Sequence, residues 1–309
     1  MRLPSSVNQQ YSRENQMSQS STRLGILVGI DGSPESLAAV RWAAAEAVLR
    51  QRPVTLMHVV SPAIVSWSIE AVLSDYQGWQ EDNADSVIKI ALESLHAALH
   101  GSPSPEVLVE RRHDGVLTEL TEASRTADLV VIGSRGKGPV GGAVLGSVSR
   151  NLLHHARCPV IVVKDGVVRS PDRGLPVLLG IDGSPSSEAA TGFAFDESSR
   201  RRVDLVALHA WSDVAQFPFL GVDWHKHEDQ GHEILGERLA GWQEQYPDVT
   251  VHRRIVCDKP ARWLIDESRN SQLVVVGSRG RGDISSMLLG SVSTSVAESA
   301  LAPVAVVRA

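Results

Sequence analysis

Two glycine-rich stretches carry the residues best suited to chemistry. "GSRGKGPVGGAVLGS" runs from Gly133 to Ser147, and "GSRGRGDISSMLLGS" runs from Gly277 to Ser291. They share the spacing G-x2-G-x9-G-S, set by Gly133, Gly136, Gly146 and Ser147 and again by Gly277, Gly280, Gly290 and Ser291. Without Cβ atoms, successive backbone N–H groups can turn inward and form a nest for phosphate oxygens. The closing Gly-Ser opens a helix whose unpaired N–H groups and positive dipole end favour an anion. Ser147 and Ser291 add hydroxyls, and Arg135, Lys137, Arg279 and Arg281 add local positive charge. A flexible turn with solvated cations explains one such loop as well as binding does. Two diverged copies that keep the whole glycine set favour binding.

Each "GIDGSP" ends a first strand with a carboxylate, Asp31 and Asp182. It can accept from a ribose hydroxyl or an adenine amine, or help hold a metal near phosphates. An Asx turn or a helix N-terminal charge accounts for it equally well. No Walker loop occurs, because Lys137 is followed by Gly138. No G-x-G-x-x-G follows the first strand either. His58 and His209 lie in apolar strands and read as hydrogen-bonded core histidines. His154 and His155 have no counterparts in the second copy, where Glu298 and Ser299 stand. Without G-x-S-x-G, HExxH or paired carboxylates, the pattern favours binding over turnover.

These residues need a scaffold, and the chain builds it twice. "LGILVGIDGSPES" at Leu24–Ser36 returns as "LPVLLGIDGSPSS" at Leu175–Ser187, and "ADLVVIGSRGKG" at Ala127–Gly138 returns as "SQLVVVGSRGRG" at Ser271–Gly282. Each copy closes on an apolar strand after proline, "CPVIVVK" or "APVAVVR". Short β-branched runs alternate with helical stretches over Ser36–Arg52, about Asp75–His100, "VLTELTEAS" and "SVSRNLLHHA". The expected fold is α/β: two tandem doubly wound, Rossmann-like domains, each a five-stranded parallel sheet flanked by helices. The expected boundaries are a disordered tail over 1–22, domains over 23–164 and 175–309, and a linker over 165–174. The final apolar strands need covering, by pairing between domains or between chains. The Trp residues read as core or domain packing.

Bulk properties narrow the partners. At 309 residues with net charge −6, the protein has no general basic field for nucleic acid or an acidic membrane. No apolar run reaches the roughly 18–20 residues of a membrane span. Cys158 and Cys257 lack ligand spacing and read as buried free thiols. The polar first residues carry no secretory signal, Met17 offers an alternative start, and the expected compartment is cytoplasmic.

The strand ending in Asp, the histidine-bearing second strand and G-x2-G-x9-G-S resemble the ATP-binding branch of the universal stress protein family. The likeness runs from Arg23 to Ala309 and is closest to its tandem actinobacterial type. The resemblance implies ATP as ligand, with Mg2+ or Mn2+ at the phosphates. It implies that Asp31 and Asp182 contact the adenosine, that Gly29 and Gly180 let it approach the first strand, and that Val59 and Ala210 border the adenine. Residues Gly133, Ser134, Arg135, Gly136, Lys137 and Gly138, with Gly277, Ser278, Arg279, Gly280, Arg281 and Gly282, would wrap the ribose and phosphates. Gly146, Ser147 and Val148, with Gly290, Ser291 and Val292, would hold the terminal phosphates. The resemblance also implies a homodimer and a regulatory role in stress or growth arrest. The alternative is a slow ATPase, autokinase or nucleotidyl transferase. Loop interiors diverge, "PVGGAV" against "DISSML", which sets the two sites apart.

Overall fold

The computed structural model describes residues 23–61, 70–136, 145–166, 174–210, 224–257, 259–280 and 289–309. The expected tail, most of the expected linker, and Lys137, Gly138, Arg281 and Gly282 lie outside the described residues. The first half runs β1 (Gly25–Gly29), α1 (Pro34–Arg50), β2 (Val54–Val59), α2 (Glu70–Ala98), β3 (Val107–Arg112), α3 (Val116–Ala123), β4 (Ala127–Gly133), α4 (Ser147–His155) and β5 (Val160–Val163). The second repeats it as β6 (Val177–Gly180), α5 (Pro185–Arg201), β7 (Leu205–Ala210), α6 (Trp224–Gln245), β8 (Val251–Val256), α7 (Pro260–Glu267), β9 (Leu273–Gly277), α8 (Ser291–Ser299) and β10 (Val304–Val307).

The repeated "DGSP" starts α1 and α5 in the same way. Ser33 and Ser184 are N-caps whose hydroxyls accept from the N–H groups of Ser36 and Ser187, at 3.1 and 3.2 Å. Pro34 and Pro185 follow, where a missing N–H costs nothing.

The strand order is β3-β2-β1-β4-β5-β10-β9-β6-β7-β8, a single ten-stranded sheet. Strands within each half are parallel, and β5 meets β10 antiparallel, with Ile161 opposite Ala305. The apolar closing strands therefore cover each other within the chain. Strand order reverses between β1 and β4, and again between β6 and β9, so each half has one switch point at its strand carboxyl ends.

Alternating strand residues feed two cores. Ile26, Val28, Leu129 and Val131 pack under α1 and α2, in a cluster that continues through Leu179, Phe195 and Leu239 of the second half. Leu27, Val130 and Ile132 face the other way, joining Leu120, Leu152, Leu264 and Val296. Both cores draw residues from both halves.

Between the halves α1 meets α5 through two buried carboxyl groups and two partly buried guanidiniums. Arg50 pairs with Glu46 and Glu197, and Arg201 pairs with the same two carboxylates, 2.8 Å from Glu197. Arg50 also lies over the Phe193 ring and Arg201 over the Trp42 ring, at 5.2 and 5.6 Å.

The tryptophans divide. Trp42 is buried and Trp242 stacks on Phe195, as expected of packing residues. Trp79 and Trp263 are instead exposed, at 59% and 37%. The buried stripe of α2 runs through Ala84, Val87, Ala91 and Leu95 and misses Trp79, while α7 turns Leu264 inward and so its neighbour outward. Cys158 and Cys257 form no disulfide, and each is only partly buried. Burial pushes the Cys158 thiol up to about 12.

Candidate anion site at the strand switch point

In the first half, β1 delivers Asp31 and β4 delivers Gly133 to the switch point. Asp31 closes an Asx turn, its Oδ1 accepting the Ser33 N–H at 2.9 Å. Asp182 does the same with Ser184, also at 2.9 Å. The local-turn reading of these carboxylates thus holds for one oxygen. The other oxygen, Oδ2, faces the glycine loop. A Cβ added to Gly136 would collide with Asp31 Oδ2, and one added to Gly280 would lie 2.6 Å from Asp182 Oδ2. Glycine is required there because a carboxylate occupies the side-chain position.

Gly133 and Gly277 have a different reason to be glycine. A Cβ on Gly133 would sit 2.8 Å from the Glu35 carbonyl carbon, and one on Gly277 would sit 2.7 Å from that of Ser186. These glycines let β4 and β9 dock against the first turns of α1 and α5. Their missing side chains serve packing, although Gly133 also lines the cleft described below.

The loop that follows is pinched at its base. The Gly146 N–H donates to the Ser134 carbonyl at 2.9 Å, and Gly290 repeats this with Ser278 at 2.8 Å. Ser134 and Ser278 are buried, and their carbonyls hold the base of each loop. Ser149 Oγ donates to the Gly133 carbonyl at 2.8 Å, and Ser293 Oγ to that of Gly277 at 2.5 Å, fixing the start of α4 or α8 against the strand. Ser33 Oγ reaches the Arg135 carbonyl at 3.5 Å and Ser184 Oγ reaches that of Arg279 at 3.1 Å. Gly146 and Gly290 begin α4 and α8 with no side-chain cap, so those first turns present backbone donors at the loop's end.

Between these parts lies a cleft of about 370 Å³. Its polar side is Asp31, Gly133, Arg135, Gly136, Gly146 and Ser147. Its apolar side is Met57, Val59, Val116, Leu120, Ile132 and Leu145. Gly29 and Val148 also line it. The described first-half residues expected at a site therefore converge, with Ser134 the exception. The α3 wall, Val116 and Leu120, was not foreseen, nor was the tether from Ser33. Leu120 and Leu264 occupy matching places in α3 and α7, which is the signal that could have revealed the wall.

His58 lines the cleft, and its Nδ1 lies 2.8 Å from the Ile30 carbonyl; His209 meets the Ile181 carbonyl at 2.7 Å. A carbonyl only accepts, so Nδ1 carries the proton in both rings. Both histidines are buried and hydrogen-bonded, as core histidines should be.

In the second half, Gly180, Asp182, Ala210, Ser278, Arg279, Gly280, Gly290, Ser291 and Val292 take the corresponding places, with two differences. Arg135 is held 3.3 Å from Glu35, whereas Ser186 stands where a carboxylate would meet Arg279. A Cβ on Gly180 would lie 2.9 Å from Leu264, against 3.4 Å between Gly29 and Leu120, so the second wall stands closer to its strand.

The profile of the universal stress protein family matches residues 25–164 and again 175–308. The chain belongs to the universal stress protein family. A universal stress protein of Mycolicibacterium smegmatis is 52% identical over 292 residues, covering 94% of this chain and 99% of the relative. One from Mycobacterium tuberculosis is 47% identical over 294 residues, covering 94% and 99%. The crystal structure of a universal stress protein from Archaeoglobus fulgidus superposes with a TM-score of 0.69 at 22% identity, over 93% of this chain and 99% of that one. This universal stress protein is thus of the tandem, two-domain type, and the fold it shares with the archaeal protein is the two-half architecture described above. Among the described residues no helix is long and apolar enough to cross a membrane.

Proposed function

We propose that each half binds one adenine nucleotide, ATP, and that occupancy sets the state of a regulatory binding module. The observation that supports this most is the split lining of the first cleft. An apolar slot suited to a base lies beside a pinched glycine loop and an uncapped helix start suited to phosphates, with the Asp31 carboxylate in the same lining to accept from a ribose hydroxyl. The residues present suit a divalent cation held mainly by phosphates and water, since Asp31 and the Ser147 hydroxyl are the oxygen donors at hand. Such a cation would neutralise phosphate charge. The chain's own contribution is to orient the nucleotide through backbone donors and to exclude water from the base.

A binding module fits the side chains better than an enzyme does. His58 is committed to Ile30 through Nδ1, and Asp31 to Ser33 through Oδ1. Titration calorimetry of nucleotide-stripped protein with ATP, with and without Mg2+, tests the proposal. Two sites per chain are expected, and Gly136→Val should abolish the first while leaving the second. No heat and no retained nucleotide at millimolar ATP would overturn the reading.

A further inference from the structure

The last residue before each half ends reaches across to the other half. Lys164, just after β5, donates from Nζ to the carbonyls of Glu298 and Ala300, at 2.8 and 2.9 Å. Those carbonyls end α8, whose C-cap is Ala300. Arg308, just after β10, donates to the His154 carbonyl in the last turn of α4. The two cations hold equivalent places in the repeat, so the exchange is reciprocal. Each also sits near the glycine-loop arginine of its own half: the charge of Arg135 acts on Lys164, and that of Arg279 acts on Arg308.

α4 and α8 are the helices whose first turns close the two loops, at Gly146–Ser147 and Gly290–Ser291. A cation at a helix carboxyl end satisfies terminal carbonyls and complements the dipole. Here the cation comes from the opposite half in both cases. We propose that Lys164 and Arg308 are positioning residues exchanged between the halves, each fixing the far end of the helix whose near end forms the other half's anion site. The proposal rests on reading the clefts as nucleotide sites. A nine-residue helix is short enough that releasing its last carbonyls shifts its first turn, and phosphate contacts tolerate little displacement.

The test reads one site at a time by calorimetry with ATP. In a Gly136→Val background only the second site is open, and there Lys164→Met is expected to weaken binding about fivefold, with Lys164→Arg restoring it. In a Gly280→Val background only the first site is open, and there Lys164→Met should cost less than twofold. Arg308→Met should give the mirror pattern. A cation that merely stabilises the fold would lower both sites alike, and equal effects or none would overturn the proposal. Hydrogen exchange on nucleotide-free full-length protein provides a separate readout. Lys164→Met should speed exchange in α8 and spare α4, and Arg308→Met should do the reverse. If the wild-type protein binds no ATP, the nucleotide reading falls while the exchange pattern still decides the cross-capping. Unchanged exchange in α8 would sink the cross-capping itself.

Discussion

Replacing Glu46 with glutamine sets two large effects against each other. Glu46 and Glu197 are 1% and 0% exposed, so solvent screening does little to either. Burial, then the neighbouring Glu197 carboxylate, push Glu46 up to about 7 from 4.5, against the pull of Arg201 and Arg50. Glu197 is held below its usual value, with both guanidiniums opposing its burial. The folded cluster thus keeps a proton that the unfolded chain releases. Its stabilising contribution is complete below about pH 4.5 and is lost as pH rises to about 7. At about 1.4 kcal/mol per pKa unit, that span amounts to about 3 kcal/mol at most. Breaking an ionised buried pair would instead cost about 3–5 kcal/mol. Because Gln mimics the protonated carboxyl, Glu46→Gln should match wild type near pH 5 and exceed it at pH 8. Urea unfolding at pH 5, 6, 7 and 8 measures this directly. A variant several kcal/mol less stable at pH 8, or pH profiles that run parallel, would refute the protonated cluster.

Glu35→Ser should copy the second half into the first by releasing Arg135 from its carboxylate partner. ATP affinity at the first site should rise about two- to fivefold at low salt, and calorimetry at high salt should erase the gain. Ser33→Ala removes an N-cap and the link from that cap to the Arg135 carbonyl. It should cost about 1 kcal/mol in urea unfolding and weaken first-site binding as well, while Ser184→Ala should weaken only the second.

The parts of the site governed by local chemistry were legible in the sequence. "DGSP" announced a capped helix, and the paired glycine loops announced backbone access after β4 and β9. What escaped depends on contacts distant in sequence. Gly133 looks like a loop glycine until α1 is seen packed against it. Ser33 looks like a cap alone until the Arg135 carbonyl is placed above it. Glu46–Arg50 and Glu197–Arg201 have the i,i+4 spacing of ordinary solvated helix pairs. Only the apposition of α1 and α5 makes them a buried ring. The joining of two five-stranded sheets into one was open for a similar reason, because an apolar edge strand states that it needs a partner without naming it.

That joining has a consequence for how the molecule unfolds. Two domains connected by a linker would melt as separate units, each at its own midpoint. Here β5 and β10 share a ladder, both cores run through both halves, and the Glu46–Arg50–Glu197–Arg201 cluster locks α1 to α5. Opening one half would expose the edge strand Val304–Val307 or Val160–Val163 and strip partners from partly buried guanidiniums, each a penalty of several kcal/mol. The intermediate with one folded half should therefore be scarce despite the length of the chain. Calorimetric and van't Hoff enthalpies should agree within about 10–20%, and fluorescence and circular dichroism should give one midpoint. Two resolved transitions would mean that the interface contributes less than either half's own core. The reciprocal caps of Lys164 and Arg308 would then be too weakly seated to position anything.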